Sequence, residues 1–300
     1  MAKPNFLIVG AARSGTTSLY EYLKQHPEVF MPRSKEPSFF ITKPAYGLES
    51  AIEKPEEYEA LFSSVRNEKA IGEASTGYLY DQQAAKRIAD YLGKNIKIII
   101  MLRNPIDMAY SLWGFVAARG YESLPFLDAI KVAEDRLRDE DFKRSCINKI
   151  WIYSYAYIDR AKYSKQVKRF IKTFGREKVK VYIFEDFFSN PLESYRDVCK
   201  FLSISDDFYP DFKRYNPGGI FRSVLIHRIF SERMAWKEQL KIIIPNPFLD
   251  FAKRAMFNIN RKDKKLELSL KDRRYILSLF QEDIAELEGV LGIPLKELWQ

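Results

Sequence analysis

The stretch GAARSGTT, Gly10 to Thr17, places two glycines five residues apart and follows them with two threonines that open a helix. Those residue types in that order suit an anion. Glycine lets the backbone approach a phosphate closely, successive N–H groups turn inward, and a helix N-terminus favours negative charge. Against the pattern G-x-x-x-x-G-K-[ST] of nucleoside-triphosphate enzymes, Thr16 stands where the lysine would be. Thr17 keeps the hydroxyl that would hold magnesium, yet no apolar strand ending in aspartate follows; the best strand of the chain ends at Arg103. The loop carries its cation at Arg13, two residues before Gly15, where it can reach a group at the 5′ end of a nucleotide. A plain glycine-rich strand-to-helix turn has the same composition, and the loop alone does not separate the two readings.

A second anion-binding candidate lies in IIIMLRNPIDMAYSLW. Its apolar run should deliver Arg103 to the carboxyl end of a buried strand, where open α/β sheets bind their ligands. Asn104 and Pro105 read as N-cap and first position of a helix, with Ser111 two turns along. A guanidinium fork with a nearby hydroxyl fits a phosphomonoester. The bland alternatives are a surface salt bridge for Arg103 and a solvated helix serine for Ser111. A third chemical candidate is Glu36, in the connection PRSKEPSFF; its alternative is a solvated glutamate paired with Lys35 or Arg33.

The elements that must position these groups alternate between strand and helix. Strands are expected at Asn5–Gly10, Lys69–Glu73, Ile96–Leu102 and Lys178–Phe184. Helices are expected at Thr17–Gln25, Glu56–Phe62, Asp81–Leu92, from Asn104 onward, two or three between Phe126 and Phe174, at Asn190–Leu202, and one long helix at Leu270–Leu291 with Tyr275, Leu279, Ile284, Leu287 and Leu291 facing the body. This alternation predicts an α/β fold: one domain over 1–300, with a central parallel sheet flanked by helices and a phosphate-loop nucleotide-binding topology. Residues 216–265 are basic, broken by prolines and mixed in period. They are expected to fold as helices joined by loops.

With 300 residues at 46% hydrophobic content the chain can bury a full core. The net charge of +9 favours anionic partners such as nucleotide phosphates, an acidic polymer or a membrane surface. Two cysteines and two histidines, none in a ligand-like spacing, argue against a disulfide framework and against zinc. The absence of a basic-then-apolar leader and of any membrane-length apolar run points to a soluble chain in a reducing compartment, expected to be cytoplasmic.

Taken together, the two anion motifs resemble those of the sulfotransferases that use 3′-phosphoadenosine 5′-phosphosulfate (PAPS), and the chain is most similar to the carbohydrate, heparan-sulfate-type branch and its bacterial relatives. The resemblance follows motif order along nearly the whole chain, to the C-terminal LGIPLKELW, although only the two phosphate motifs are specific. It implies the sulfotransferase fold and transfer of a sulfuryl group from PAPS to a hydroxyl or amine of a carbohydrate- or glycolipid-like acceptor. The product would be 3′,5′-adenosine bisphosphate (PAP), with no metal required; phosphosulfate carries less charge than a triphosphate, consistent with the lost lysine. Arg13, Ser14, Gly15, Thr16, Thr17 and Ser18 would hold the 5′-phosphosulfate, with Arg13 assisting catalysis where the family often has lysine. Arg103 and Ser111 match the 3′-phosphate motif. Glu36, before Phe39-Phe40, resembles the general base and Tyr163 the tyrosine near the active site; NPGGIFRS corresponds in order to the family's cofactor-covering loop, which makes 216–265 that loop and a helical acceptor-side region and Arg222 a further 3′-phosphate ligand. The sequence departs from some relatives at Ser38, where they have histidine, and at Ala74, where they have lysine; more therefore falls on Glu36 and Arg13. The segment Glu73 to Tyr78 is expected to line the acceptor cleft, and Trp113 and Trp151 are read as sugar-stacking or core rings. Nucleic acid is not among the implied partners, whereas peripheral membrane contact fits the basic segment Arg222–Arg254. Two rival readings are a degenerate phosphate-loop kinase or NTPase, and a non-enzymatic basic module binding anionic glycan or membrane.

Overall fold

The computed structural model describes residues 2–42, 51–147, 150–213, 215, 220–221, 261–262 and 268–299. Among them are five parallel strands: β1 (Phe6–Gly10), β2 (Val29–Phe30), β3 (Ala70–Ala74), β4 (Lys97–Leu102) and β5 (Val179–Ile183). Their order in the sheet is β2-β3-β1-β4-β5. β1 pairs on one side with β3, Phe6 opposite Gly72, and on the other with β4, Phe6 opposite Lys97. From β1 the chain crosses to the edge strand β2, returns through β3 beside β1, and then passes to β4 and β5 on the other side. This puts the topological switch point, where such sheets open a crevice, at the carboxyl ends of β1 and β4.

Both faces of the sheet are covered, so the central strands are apolar throughout rather than alternating. Leu7, Val9, Ile98, Ile100 and Leu102 face a core closed by α4 (Ala84–Leu92), α5 (Pro105–Ala118) and α8 (Ser164–Phe174). Phe6, Ile8, Ile99 and Met101 face a second core with α1 (Thr16–Lys24) and α10 (Pro191–Leu202). Gly72 allows that packing, because a Cβ there would lie 2.2 Å from the ring of Phe6. The remaining helices are α2 (Pro55–Ala60), α3 (Gly77–Tyr80), α6 (Phe126–Arg138), α7 (Glu140–Ser145) and α9 (Phe184–Ser189), followed by C-terminal helices at Leu270–Ser278, Gln281–Leu291 and Leu295–Leu298.

Several expectations need correction. The helix expected from Asp81 begins at Ala84, since the Asp81 carboxylate instead caps it, accepting from the backbone N–H groups of Gln83 and Ala84. The long C-terminal helix is broken around Leu279–Phe280. That break turns Ile276 and Phe280 inward, while Tyr275, assigned to the buried face, is 45% exposed. The edge strand β2 has only two residues, too short for a periodic signal. Within 216–265 the described residues form a two-stranded antiparallel ribbon, Ile220–Phe221 with Arg261–Lys262; Arg222 and the rest of that segment lie outside the described residues. No described helix is long and apolar enough to cross a membrane.

Candidate active site

The loop after β1 turns into α1 through Gly15, the helix N-cap, at φ +84°. A side chain at this position is doubly unfavourable: the backbone is left-handed, and a Cβ would sit 2.6 Å from Phe188 and 3.0 Å from Phe184. Arg13 also takes a left-handed φ of 61°, which points its side chain across the switch point toward α5. Its Nε donates to Ser111 Oγ at 3.0 Å. Arg103 returns the link, one guanidinium N–H donating to the Arg13 carbonyl at 3.4 Å. The two motifs, distinct in sequence, are thus hydrogen-bonded to each other in space.

They line one cavity of about 450 Å³ with Arg13, Gly15, Thr16, Thr17, Ser18, Arg103 and Ser111 on its wall. Its other side is aromatic, formed in part by Phe184, Phe188, Phe212 and Tyr215. The local sequence gave no sign of this second side. Arg103 has the Phe184 ring 4.7 Å from its guanidinium carbon, and a carboxylate, Asp107, 3.6 Å away. Its Nε is buried without a hydrogen-bond partner, an unfilled donor position of the kind that an anionic oxygen satisfies. Arg13 has no carboxylate within ion-pair distance among the described residues. Burial, then the charges of Arg119 and Arg103, lower its pKa to about 10. Arg119, the C-cap of α5, has its guanidinium 3.5 Å from the Phe115 ring centre that Arg13 shares at 5.5 Å, and nothing in its local sequence marks it. This excess of buried positive charge suits a polyanion.

Other expected residues have supporting positions. Ser14 is wholly buried, its hydroxyl donating to the Ala12 carbonyl at 3.2 Å. Tyr163 is also wholly buried and lines no part of the cavity; its hydroxyl donates to the Arg103 carbonyl at 3.1 Å and lies against Ser14. It braces both motifs from behind. Asn104 caps α5 as expected, its side chain accepting from Ile106 N at 3.0 Å, and it also donates to the Trp299 carbonyl at 3.1 Å. Glu185 completes this brace, accepting from Asn104 N and from the Trp299 indole. The buried ring of Trp299 ties the C-terminal LGIPLKELW to the base of the β4–α5 turn.

Glu36 sits at the carboxyl edge of β3, its backbone N–H donating to the Ala74 carbonyl. Its carboxylate accepts from Thr76 N at 2.8 Å and Thr76 Oγ1 at 3.0 Å, and pairs with Lys35 at 2.5 Å, the partner of the plain salt-bridge reading. The group is 40% exposed and does not line the 450 Å³ cavity. Behind it lies Glu73, fully buried, its carboxylate accepting from Ser75 Oγ at 2.9 Å. Burial, with a further contribution from the charge of Glu36, pushes the Glu73 pKa up to about 8, so its carboxyl is protonated at neutral pH. Ser75 Oγ in turn accepts from the backbone N–H of Ser38, fixing the turn in which Glu36 and Ser38 both take positive φ. Trp113 is structural, its indole donating to the Leu124 carbonyl and its ring packed on Tyr110 and Phe126.

A family model described as "Sulfotransferase domain" matches residues 3–214. A solved sulfotransferase structure from Alicyclobacillus acidocaldarius superposes with a TM-score of 0.75 at 30% identity, covering 100% of both chains. Among characterised relatives, the membrane-associated sulfotransferase kil1 of Dictyostelium discoideum is 37% identical over 112 residues, 37% of this chain and 23% of its own length. Mouse carbohydrate sulfotransferase 15 is 24% identical over 247 residues, 67% of this chain and 44% of its own length. The mouse bifunctional heparan sulfate N-deacetylase/N-sulfotransferase 4 is 25% identical over 225 residues, 71% of this chain and 24% of its own length. The chain thus spans less than half the length of these relatives.

Proposed function

The chain belongs to the sulfotransferase family, and from that premise we propose that it moves the sulfuryl group of PAPS to a hydroxyl or amine of a carbohydrate-like acceptor. The observation that carries this reading is the joining of both phosphate motifs on one cavity through the Arg13–Ser111 hydrogen bond. The residues present fit a nucleotide with phosphate on both sides of its ribose. Thr16, Thr17 and Ser18 at the start of α1, and Arg103, with its unfilled Nε, and Ser111 after β4, line the same cavity. The aromatic side supplies flat apolar surface for a purine.

PAPS, when bound, supplies an activated sulfuryl group on a phosphosulfate anhydride. Arg13 and the loop N–H groups hold negative charge where the leaving phosphate would carry it, which is where fixed donors lower a barrier most. Glu36, held by Thr76 and paired with Lys35, takes the acceptor proton. Among the described residues there is no group of three His, Cys, Asp or Glu able to hold a metal. The test is transfer of labelled sulfate from PAPS to a panel of glycans with and without a chelator. Chelator-resistant transfer is expected; metal-dependent ATP hydrolysis with no sulfate transfer would replace this reading with that of an NTPase.

A further inference from the structure

The turn that carries Glu36 rests on a buried polar cluster, and Glu73 is at its centre. Glu73 belongs to β3, and its side chain is wholly buried. Of the segment Glu73 to Tyr78, expected to line the acceptor cleft, only Thr76 is not buried. The rest lies beneath the turn.

Three routes tie the turn to this carboxyl. Ser75 Oγ donates to it at 2.9 Å and accepts from Ser38 N at 3.0 Å, while Ser75 N anchors the route to β1 by donating to the Ile8 carbonyl. The Tyr58 hydroxyl of α2 donates to the other carboxyl oxygen at 3.5 Å, and its ring stacks on Phe39 at 4.4 Å and meets Phe40 edge-on at 5.3 Å. The Tyr78 hydroxyl of α3 lies against the carboxyl and accepts from Phe40 N at 3.5 Å, with the two rings 5.6 Å apart. Ser38, Phe39 and Phe40 are each held by a group that itself touches Glu73. The turn needs such support. Glu36 and Ser38 stand at φ 65° and 56°, a conformation that a residue with a side chain keeps only where its surroundings over-determine it.

The charged and titratable groups that face Glu73 are Tyr20 from α1, Lys35 and Glu36 from the turn, Tyr58 from α2 and Tyr78 from α3. Lys35 is paired with Glu36 rather than with Glu73. Burial pushes the Tyr20 hydroxyl up to about 12 and holds Tyr58 and Tyr78 well above their ordinary value, so all three stay protonated through neutral and mildly alkaline pH. Two carboxyls of unlike surroundings thus share one network, Glu36 partly exposed and Glu73 dry. An ionised Glu73 would be a buried, unpaired charge beside the Glu36 carboxylate. Opening the turn to water is what relieves it.

We propose that Glu73 is a positioning residue for Glu36: its neutral carboxyl locks the turn, and loss of its proton releases the turn and shuts transfer off on the alkaline side. The assignment rests on the sulfotransferase reading for the role of Glu36, whereas the lock itself can be read without turnover. Hydrogen exchange over residues 33–41, followed by mass spectrometry on the full chain and corrected for the intrinsic rate, should show protection that is lost with a midpoint of about 8. Glu73→Gln, neutral at every pH, should keep that protection to about pH 9 or beyond, and Glu73→Ala should lack it throughout. Sulfate transfer should follow the same pattern. Native kcat should fall through the same midpoint, and Glu73→Gln should move that alkaline limb up by about one pH unit or more. Glu73→Ala should be slower by about ten- to a hundredfold at neutral pH, with Glu73→Gln recovering most of the loss. PAP affinity should match in all three proteins, because Glu73 lies outside the cofactor cavity. A packing role alone would lower Tm and leave the alkaline limb in place. Native protection that ignores pH, a midpoint shared by Glu73→Gln, or an alkaline limb unmoved in that variant overturns the assignment. A native chain that transfers no sulfate overturns the proposed function instead, and the exchange midpoint still decides whether Glu73 locks the turn.

Discussion

Replacing Gly15 with alanine perturbs the site at a single carbon, and its cost can be worked from two independent features. At φ +84° an L-residue costs about 1–2 kcal/mol. The added Cβ, 2.6 Å from Phe188 and 3.0 Å from Phe184, must displace packed rings, worth about 1–3 kcal/mol more. The sum, about 2–5 kcal/mol, corresponds to a fall in Tm of roughly 4–15 °C for a chain of this size. Displaced rings move the aromatic side of the cavity, so PAP affinity should fall with stability. Calorimetry on Gly15→Ala, Phe188→Ala and the double variant separates the two causes. Phe188→Ala removes the closest contact but leaves the backbone strain, so the double variant should be more stable than the sum of the singles by about 1 kcal/mol or more. A Gly15→Ala protein within about 1 °C of native Tm, or a strictly additive cycle, would refute this account of the loop.

Glu73 makes stability fall as pH rises. Its folded pKa of about 8 lies above the ordinary 4.5, so the folded state holds the extra proton between those values; stability is greatest below about 4.5 and is lost progressively toward 8. Glu73→Gln should flatten that slope, worth on the order of a few kcal/mol, in urea melts across pH; an unaltered slope would place Glu73 ionised. Asn104→Ala removes both the α5 cap and the donor to Trp299, so the unfolding free energy from urea melts should fall by about 2 kcal/mol, and a change near zero would deny the C-terminal brace. Glu36→Gln should cut sulfate transfer by about 10²–10⁴ with PAP affinity preserved, whereas a fully active variant removes Glu36 from the mechanism.

What the sequence displayed and what it concealed divide along chain distance. The loop after β1 and the Asn104-Pro105 start of α5 are local patterns, where glycine, proline and a cap act on their own neighbours, and both were legible. So was β4, apolar from Ile98 to Leu102, because a strand covered on both faces needs no periodicity. The role of Tyr163 was not: its hydroxyl finds a carbonyl sixty residues away, and no local spacing encodes that. Arg119, Phe184 and Phe188 reach the site only once β4, α5 and α9 are assembled. The C-terminal break was hidden for another reason. Helical periodicity continues through Phe280, so the pattern reads as one helix while the chain bends to bury that ring. Glu73 reads as the last residue of a strand and the first of an acceptor-lining segment, and nothing in its neighbours announces full burial.

The central claim is that Arg103 and Ser111 bind a phosphate opposite the one cradled by the loop at Gly15. It is tested most directly by metal-free titration calorimetry with PAP, 5′-AMP and ATP, on the native chain and on Arg103→Ala. PAP should bind about a hundredfold tighter than 5′-AMP to the native chain, and the difference should largely vanish in Arg103→Ala. Equal affinity for PAP and 5′-AMP, or a preference for ATP that requires magnesium, would contradict the account.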